Sequence, residues 1–147
     1  MGGTFSAPFL FGTFSDADLH ILVRAGRAVY PAGAAKAVPD EIAATALEPV
    51  DDAGREVRVT DRDRAVMHRV QSDVRDGAPA GPFHLTLCRN SVFSYFDDLL
   101  QRSVAARLVE RLHRGGALVL GGHETLPGGL PWLTPWPAAP CTFQRTA

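Results

Sequence analysis

The most constraining feature of this sequence is a strand–helix–strand pattern in its second half. Phe83–Cys88 alternates along its length and places Phe83, Leu85 and Leu87 on one face, which is typical of a strand. Apolar residues then recur at helical spacing over Asp97–Arg114. The uninterrupted apolar run Ala117–Leu120 predicts a strand covered on both faces, as in parallel sheets. The pattern therefore predicts one βαβ unit of an α/β fold, with both strands inside a mostly parallel sheet.

The rest of the chain predicts shorter elements. The apolar, aromatic run Pro8–Phe14 predicts a buried strand, and Ser15 or Asp16 is the expected N-cap of the helix after it. Further expected elements are a helix after Pro39 and short strands at Glu56–Val59, Val66–Val70 and Cys141–Arg145.

Composition excludes several classes of protein. The 147 residues fit one domain over 1–147, with a lead-in at 1–11 and a Pro- and Trp-rich tail at 128–147. Fifteen basic and 16 acidic side chains give a formal charge of −1, which argues against nucleic-acid binding. No apolar run reaches the roughly 20 residues of a membrane helix. Two cysteines are too few for a disulfide framework or a zinc site, so we expect a cytoplasmic protein.

Candidate binding residues follow the expected strands, because ligands of open α/β sheets bind beyond the carboxyl ends of the strands. This rule selects Arg89-Asn90 after one strand and Gly121–Glu124 after the next. It also selects Asp16 and the pair Asp73-Val74. We expect these loops to share one edge of the sheet and to form a cofactor cleft. No metal is expected, because His123 and Glu124 are adjacent and point apart, without a third ligand.

Three groups of residues follow one another in the second half of the chain: Cys88-Arg89-Asn90, then Tyr95-Phe96-Asp97, and then the stretch from Gly115-Gly116 to His123-Glu124. Together they resemble the CheR-type glutamate methyltransferases of chemotaxis receptors. The similarity extends from about Gly12 to Pro127. It implies a Rossmann-like methyltransferase sheet that binds S-adenosylmethionine. It also implies methyl transfer to a glutamate side chain of a protein substrate, for which a chemotaxis receptor is one candidate.

The resemblance assigns roles to individual residues. By this resemblance, four residues lie against the cofactor: Arg89, Asn90, Asp73 and Val74. Tyr95 matches the tyrosine near the methyl-transfer centre, where a phenol can orient the incoming carboxylate. Phe14 replaces an acid that binds the ribose hydroxyls, and Asp16 is its candidate substitute. Taken singly, Arg89 is also explained as a tie between loop and sheet edge, and Tyr95 as a packed aromatic.

Departures from the family pattern leave two interpretations open. Nothing before Gly12 supplies the first strand and the glycine-rich loop that cradles the methionine end of the cofactor. The N-terminal helical domain of the family is also missing, so the resemblance implies a partial sheet. Either Phe5–Phe14 or a second copy of the chain, in a homo-oligomer, is expected to fill the gap. The alternative to a methyltransferase is an inactive α/β remnant that binds a ligand or a protein.

Overall fold

A computed structural model describes residues 11–146 of the chain. It divides into two compact units, Met1–Gln71 and Ser72–Ala147, called here the first and second units. The first three residues of the expected strand Pro8–Phe14, and most of the segment Phe5–Phe14 proposed to fill the gap, lie outside the described residues. Within residues 11–146, no helix is long and apolar enough to cross a membrane.

The first unit contains a parallel strand pair and a small antiparallel sheet. Its elements are β1 (Gly12–Asp16), α1 (Leu19–Arg27), β2 (Val29–Pro31), α2 (Ala32–Ala35), α3 (Asp40–Ala46), β3 (Leu47–Pro49), β4 (Glu56–Val59), α4 (Asp61–Ala65) and β5 (Met67–Gln71). Strands β1 and β5 pair in parallel, from Gly12 opposite Met67 to Asp16 opposite Gln71. The antiparallel sheet has the order β2-β4-β3.

The N-cap of α1 differs from the expected one. The Asp18 carboxylate accepts the backbone N–H of His20 at 2.8 Å and so caps the helix. Asp16 instead accepts the backbone N–H of Asp18 at 2.8 Å, in the turn that leads into the helix. The expectation that Ser15 or Asp16 caps α1 is therefore wrong by at least two residues. A carboxylate at either position can accept an N–H two residues on, so composition alone does not separate them.

Other expectations for the first unit have mixed outcomes. The helix after Pro39 and the strand Glu56–Val59 are confirmed. The expected strand Val66–Val70 is displaced by one residue to β5. The described part of the first strand is not buried, because Phe14 is exposed and, among residues 11–146, β1 pairs with β5 alone. Strands β2 and β3 and helices α2 and α4 are three to five residues long, too short to show a period in the sequence.

The second unit contains a four-stranded mixed sheet. Its elements are β6 (Phe83–Cys88), α5 (Val92–Tyr95), α6 (Asp98–Glu110), β7 (Leu112–Leu120), β8 (Leu133–Pro135) and β9 (Thr142–Arg145). The strand order is β6-β7-β9-β8. Strands β6 and β7 are parallel, whereas β9 is antiparallel to both of its neighbours. The strand–helix–strand unit is therefore confirmed, but the expectation of a mostly parallel sheet is wrong.

Helix α6 supplies the core of the second unit. It starts at the N-cap Asp97, whose carboxylate accepts the backbone N–H of Leu100 at 2.9 Å. Its buried face packs in one cluster with the buried side chains of β7. The members from helix and strand are Val104, Ala105, Leu108, Val109, Leu112, Leu118 and Leu120. The helix ends at Glu110 rather than at the expected Arg114, because Leu112 already pairs with Phe83 in the sheet.

One face and one edge of this sheet are open. Leu85 and Leu87 are 56% and 65% exposed, although they sit opposite Ala117 and Val119 in register. Strand β6 pairs with β7 alone within the described part of the chain. The expectation that β6 is an interior strand is therefore wrong, since no described strand pairs with its outer edge. The mixed α/β class is confirmed.

Candidate functional site

A buried carboxylate ties together the loops that follow β6 and β7. Glu124 is 6% exposed, and its carboxylate accepts four hydrogen bonds. Three come from the backbone N–H groups of Gly121, Asn90 and Ser91, at 2.7, 2.8 and 3.1 Å. The fourth comes from Ser94 Oγ at 2.8 Å. The carboxyl ends of two parallel strands are thereby held in one fixed arrangement.

The same contacts keep Glu124 ionised. Burial by itself raises the pKa of a carboxyl group, because it disfavours the charged form. The hydrogen bonds from Ser94 Oγ and from the three backbone N–H groups act in the opposite direction and prevail. The pKa of Glu124 is therefore held below its ordinary value of 4.5. Sequence reasoning did not assign this role. The sequence feature that pointed to this role was an acidic residue just after a buried strand, where backbone N–H groups lack partners within the sheet.

Asn90 and Gly121 are fitted closely around this carboxylate. Asn90 has a φ of 54°, a left-handed conformation that asparagine tolerates better than most residues. Gly121 lies beneath it, and a Cβ there would overlap Asn90 Oδ1 and lie 2.8 Å from Glu124 Oε2. The backbone of the Arg89-Asn90 loop can therefore approach β7 only because residue 121 has no side chain.

Gly121→Ala is expected to displace the Arg89-Asn90 loop. The added methyl group meets atoms that Glu124 already holds in place, so relief requires loss of at least one of its hydrogen bonds. We expect a loss of about 1–3 kcal/mol in the free energy of unfolding. Two-dimensional NMR should show large shifts of the Asn90 and Ser91 amides. Gly122→Ala is the matched control, because no atom lies within 4 Å of a Cβ there. Equal effects of the two variants would contradict this account.

Asp73 and Val74 are held in place by two arginines. The Asp73 carboxylate accepts the backbone N–H and the Nε of Arg75, both at 2.9 Å, and also pairs with its Nη2. These hydrogen bonds lower the pKa of Asp73 to about 2. The Arg107 guanidinium on α6 donates to the Val74 carbonyl at 3.4 Å and to the Arg75 carbonyl. Arg107 therefore holds this segment against α6, and the Asp73 carboxylate forms its hydrogen bonds within its own turn.

The remaining residues expected at the site differ in the exposure and the contacts of their side chains. Arg89 is exposed and forms no side-chain hydrogen bond or ion pair within residues 11–146, so it does not tie the loop to the sheet edge. Tyr95, the last residue of α5, is 80% exposed and is not a packed aromatic. His123 is exposed, whereas Glu124 beside it is buried. No group of three His, Cys, Asp or Glu side chains in the described residues could hold a metal ion.

The expected site residues thus fall into two groups. The second unit contains Arg89, Asn90, Tyr95, Asp73 and Val74. Asp16 belongs to the first unit, where its carboxylate is engaged by the turn before α1.

A comparison with known protein families shows to which family the chain belongs. The family described as CheR methyltransferase, SAM binding domain, matches residues 11–137. This chain belongs to the CheR methyltransferase family. The matching domain is one that binds S-adenosylmethionine, so the resemblance in the sequence is confirmed.

The CheR domain is also similar to a curated protein. It is 28% identical over 120 residues to chemotaxis protein methyltransferase 2 of Vibrio cholerae serotype O1. The aligned part covers 76% of this chain and 39% of that protein. The chain therefore spans well under half the length of this relative.

The CheR domain offers S-adenosylmethionine a partly suitable set of groups. The Arg89 guanidinium and the Asn90 side-chain amide have no hydrogen-bond partner in the described residues, and they stand at the carboxyl end of a parallel strand. A polar ligand there would meet unpaired side chains on a loop whose backbone Glu124 holds. The carboxylates of Asp16 and Asp73 are already engaged by neighbouring backbone or by Arg75. The residues that fit the cofactor are therefore Arg89 and Asn90, with Glu124 holding their loop.

Proposed function

We propose that this chain binds S-adenosylmethionine beside the loops that follow β6 and β7, in the manner of an enzyme that methylates glutamate side chains of a protein. The observation that carries the proposal is that the buried Glu124 carboxylate fixes the backbone of the loop that bears Arg89 and Asn90 before any ligand arrives. Preorganised groups lose little freedom on binding, which favours affinity. Family membership supplies the identity of the cofactor.

The proposed reaction needs positioning more than acid–base chemistry. S-adenosylmethionine supplies a methyl group on a sulfonium: a glutamate oxygen forms the new C–O bond, and the C–S electron pair leaves with sulfur. Arg89 and Asn90 bind the cofactor in this proposal, and the exposed Tyr95 phenol donates a hydrogen bond that orients the acceptor carboxylate. The acceptor we propose is a glutamate of a chemotaxis receptor, which the family resemblance of the sequence implies; the Vibrio relative is named a chemotaxis protein methyltransferase.

Titration with S-adenosylhomocysteine tests the binding step. We expect measurable heat in calorimetry with the purified chain, and an affinity reduced about ten-fold or more in Asn90→Ala or Arg89→Ala. Arg114→Ala is the control, because Arg114 is an exposed arginine on β7 outside the two loops. If the chain binds no S-adenosylhomocysteine, or if all variants bind it equally, the proposed site is wrong.

A second candidate function is binding without catalysis. Its support is the outer edge of β6, which has no strand partner in the described residues, together with the engaged carboxylates of Asp16 and Asp73. A misplacement of about 1 Å in a positioned reaction can cost on the order of 100-fold in rate. A site that lacks a neighbouring strand is poorly placed to reach such accuracy.

We therefore expect the 147-residue chain alone to be inactive or nearly so. The measurement is incubation with labelled S-adenosylmethionine and glutamate-bearing receptor peptides, followed by assay of base-labile methyl esters. Ester formation that disappears in Tyr95→Phe would overturn the second candidate and support the first. Tyr30→Phe is a matched control, because this exposed tyrosine lies on β2 of the first unit.

A further inference from the structure

A groove in the first unit combines an apolar wall with several cations. Its volume is about 580 Å³, within the usual size of small-molecule sites. Helix α1 contributes the apolar wall through Leu19, Leu22 and Val23. The remaining lining residues are Gly26, Arg27, Arg64, Arg69 and Gln71. None of the residues proposed for the cofactor lines this groove.

The charges of the groove are not balanced. Arg64 pairs with Asp61 and donates to the Arg27 carbonyl at 3.4 Å, but its buried Nε has no hydrogen-bond partner. Arg27 and Arg69 form no ion pair with any described residue, and no carboxylate lines the groove. Guanidinium groups stay charged at every accessible pH. Three like charges around one partly enclosed space, with one paired carboxylate, create a positive field that attracts an anion.

Gly26 determines where one of these cations lies. The Arg69 guanidinium rests directly against Gly26, where any Cβ would overlap its Nη1. The missing side chain lets Arg69 cross the last turn of α1 and line the groove. Leu19 and Val23 stay largely exposed beside it. Apolar surface and unpaired guanidinium groups therefore adjoin, which suits a ligand with an anionic end and an apolar body.

We propose that this groove binds a small organic anion. Its carboxylate or phosphate group pairs with Arg69 and Arg27, the two lining arginines that form no ion pair with a described residue, since planar guanidinium groups bind either anion through two parallel hydrogen bonds. Its apolar body packs against Leu19 and Val23. This site is separate from the proposed cofactor site and does not depend on it.

NMR titration of the full chain with four probes tests the proposal. Phenyl phosphate and phenylacetate carry both features, inorganic phosphate carries the charge alone, and benzyl alcohol carries the ring alone. We expect one of the first two to bind at least about ten-fold more tightly than either fragment. The amide shifts should concentrate at Leu22–Arg27 and Arg69–Gln71. The tighter of the two anions identifies the head group as phosphate or carboxylate.

Substitutions distinguish a specific binding site from general electrostatic attraction. Arg69→Gln and Arg27→Gln are each expected to weaken binding about ten-fold or more. Gly26→Ala should weaken binding less than Arg69→Gln does, because its methyl group only obliges the flexible Arg69 side chain to move, while helix α1 gains a better helix former. Arg24→Gln is the matched control, since Arg24 lies on α1 but does not line the groove.

Four outcomes would overturn the proposal. Equal weakening in Arg24→Gln would show general charge attraction, and equal affinity for benzyl alcohol would show an apolar site. Concentration-dependent shifts of the same amides without a ligand would show that a second copy occupies the groove. Shifts of these amides by S-adenosylhomocysteine, lost in Arg69→Gln, would assign the groove to the cofactor. Failure of S-adenosylhomocysteine to bind anywhere leaves this proposal standing and contradicts only the proposed function.

Discussion

Leu118→Asp is expected to abolish cooperative folding of the second unit, whereas Leu87→Asp is expected to leave it folded. Leu118 is completely buried in β7 and belongs to the cluster that α6 covers. A charge placed there has no partner, and an unpaired buried charge costs about 3–5 kcal/mol or more, comparable with the total stability of a small unit. Leu87 lies on the neighbouring strand but on the opposite, open face.

Urea unfolding followed by circular dichroism, with NMR amide signals as a local reporter, checks this prediction. Leu118→Ala adds a graded case and should lose about 2–5 kcal/mol, because it leaves a cavity rather than a charge. If Leu87→Asp unfolds the unit as severely as Leu118→Asp, both faces of the sheet are covered. The strand arrangement described above would then be wrong.

The pair of leucines on β6 shows what alternation in a sequence can and cannot predict. Alternation predicted the bounds of β6 correctly, but it was wrong to place Phe83 on one face with Leu85 and Leu87, because the register shifts after Phe83, which packs against the core while the leucines are exposed. It could not decide which face α6 covers. The helix lies on the side of Thr86 and Cys88, whose register partners Leu118 and Leu120 are buried. Which face of a strand is covered depends on the elements that pack against it, and the sequence of the strand alone does not determine this.

The end of α6 was missed for a related reason. Leu108 and Leu112 are four residues apart, the spacing of one helix face, and both are buried in one cluster. Leu112 nevertheless enters that cluster from β7, after the chain has left the helix at Glu110. Apolar spacing reports which residues reach the core, but not whether a helix or a strand brings them there.

The candidate site was predicted in part. Rules about strand ends selected Arg89, Asn90 and Glu124 as loop residues, and family resemblance added the cofactor. The role of Glu124 could not be predicted, because its partners at Asn90 and Ser91 lie more than 30 residues away along the chain. Only the parallel register of β6 and β7 brings these N–H groups to one carboxylate.

Glu124→Gln is expected to lower the free energy of unfolding of the second unit by about 2–4 kcal/mol. The carboxylate accepts four hydrogen bonds, whereas a glutamine has one acceptor oxygen, and its NH₂ group would face other donors. Faster hydrogen exchange should appear first at the Asn90 and Ser91 amides. Glu110→Gln is the matched control, since Glu110 is exposed at the end of α6. Equal losses in the two variants would contradict a special role for Glu124.

The stability difference between wild type and Glu124→Gln should depend on pH. This dependence shows whether the loops need the charge of Glu124 or only its shape. Because the pKa of Glu124 is below 4.5 in the folded protein, its stabilising effect is complete above that pH and is lost as the pH falls through the lowered value. The difference in unfolding free energy between wild type and Glu124→Gln should therefore shrink as the pH falls from above 4.5 through the lowered pKa of Glu124. Asp73, with its pKa of about 2, also loses its stabilising effect in acid, but it does so in both proteins and cancels from the difference. A difference that stays constant over this range would mean that the loops need only the shape of the side chain, and that its charge does not hold them.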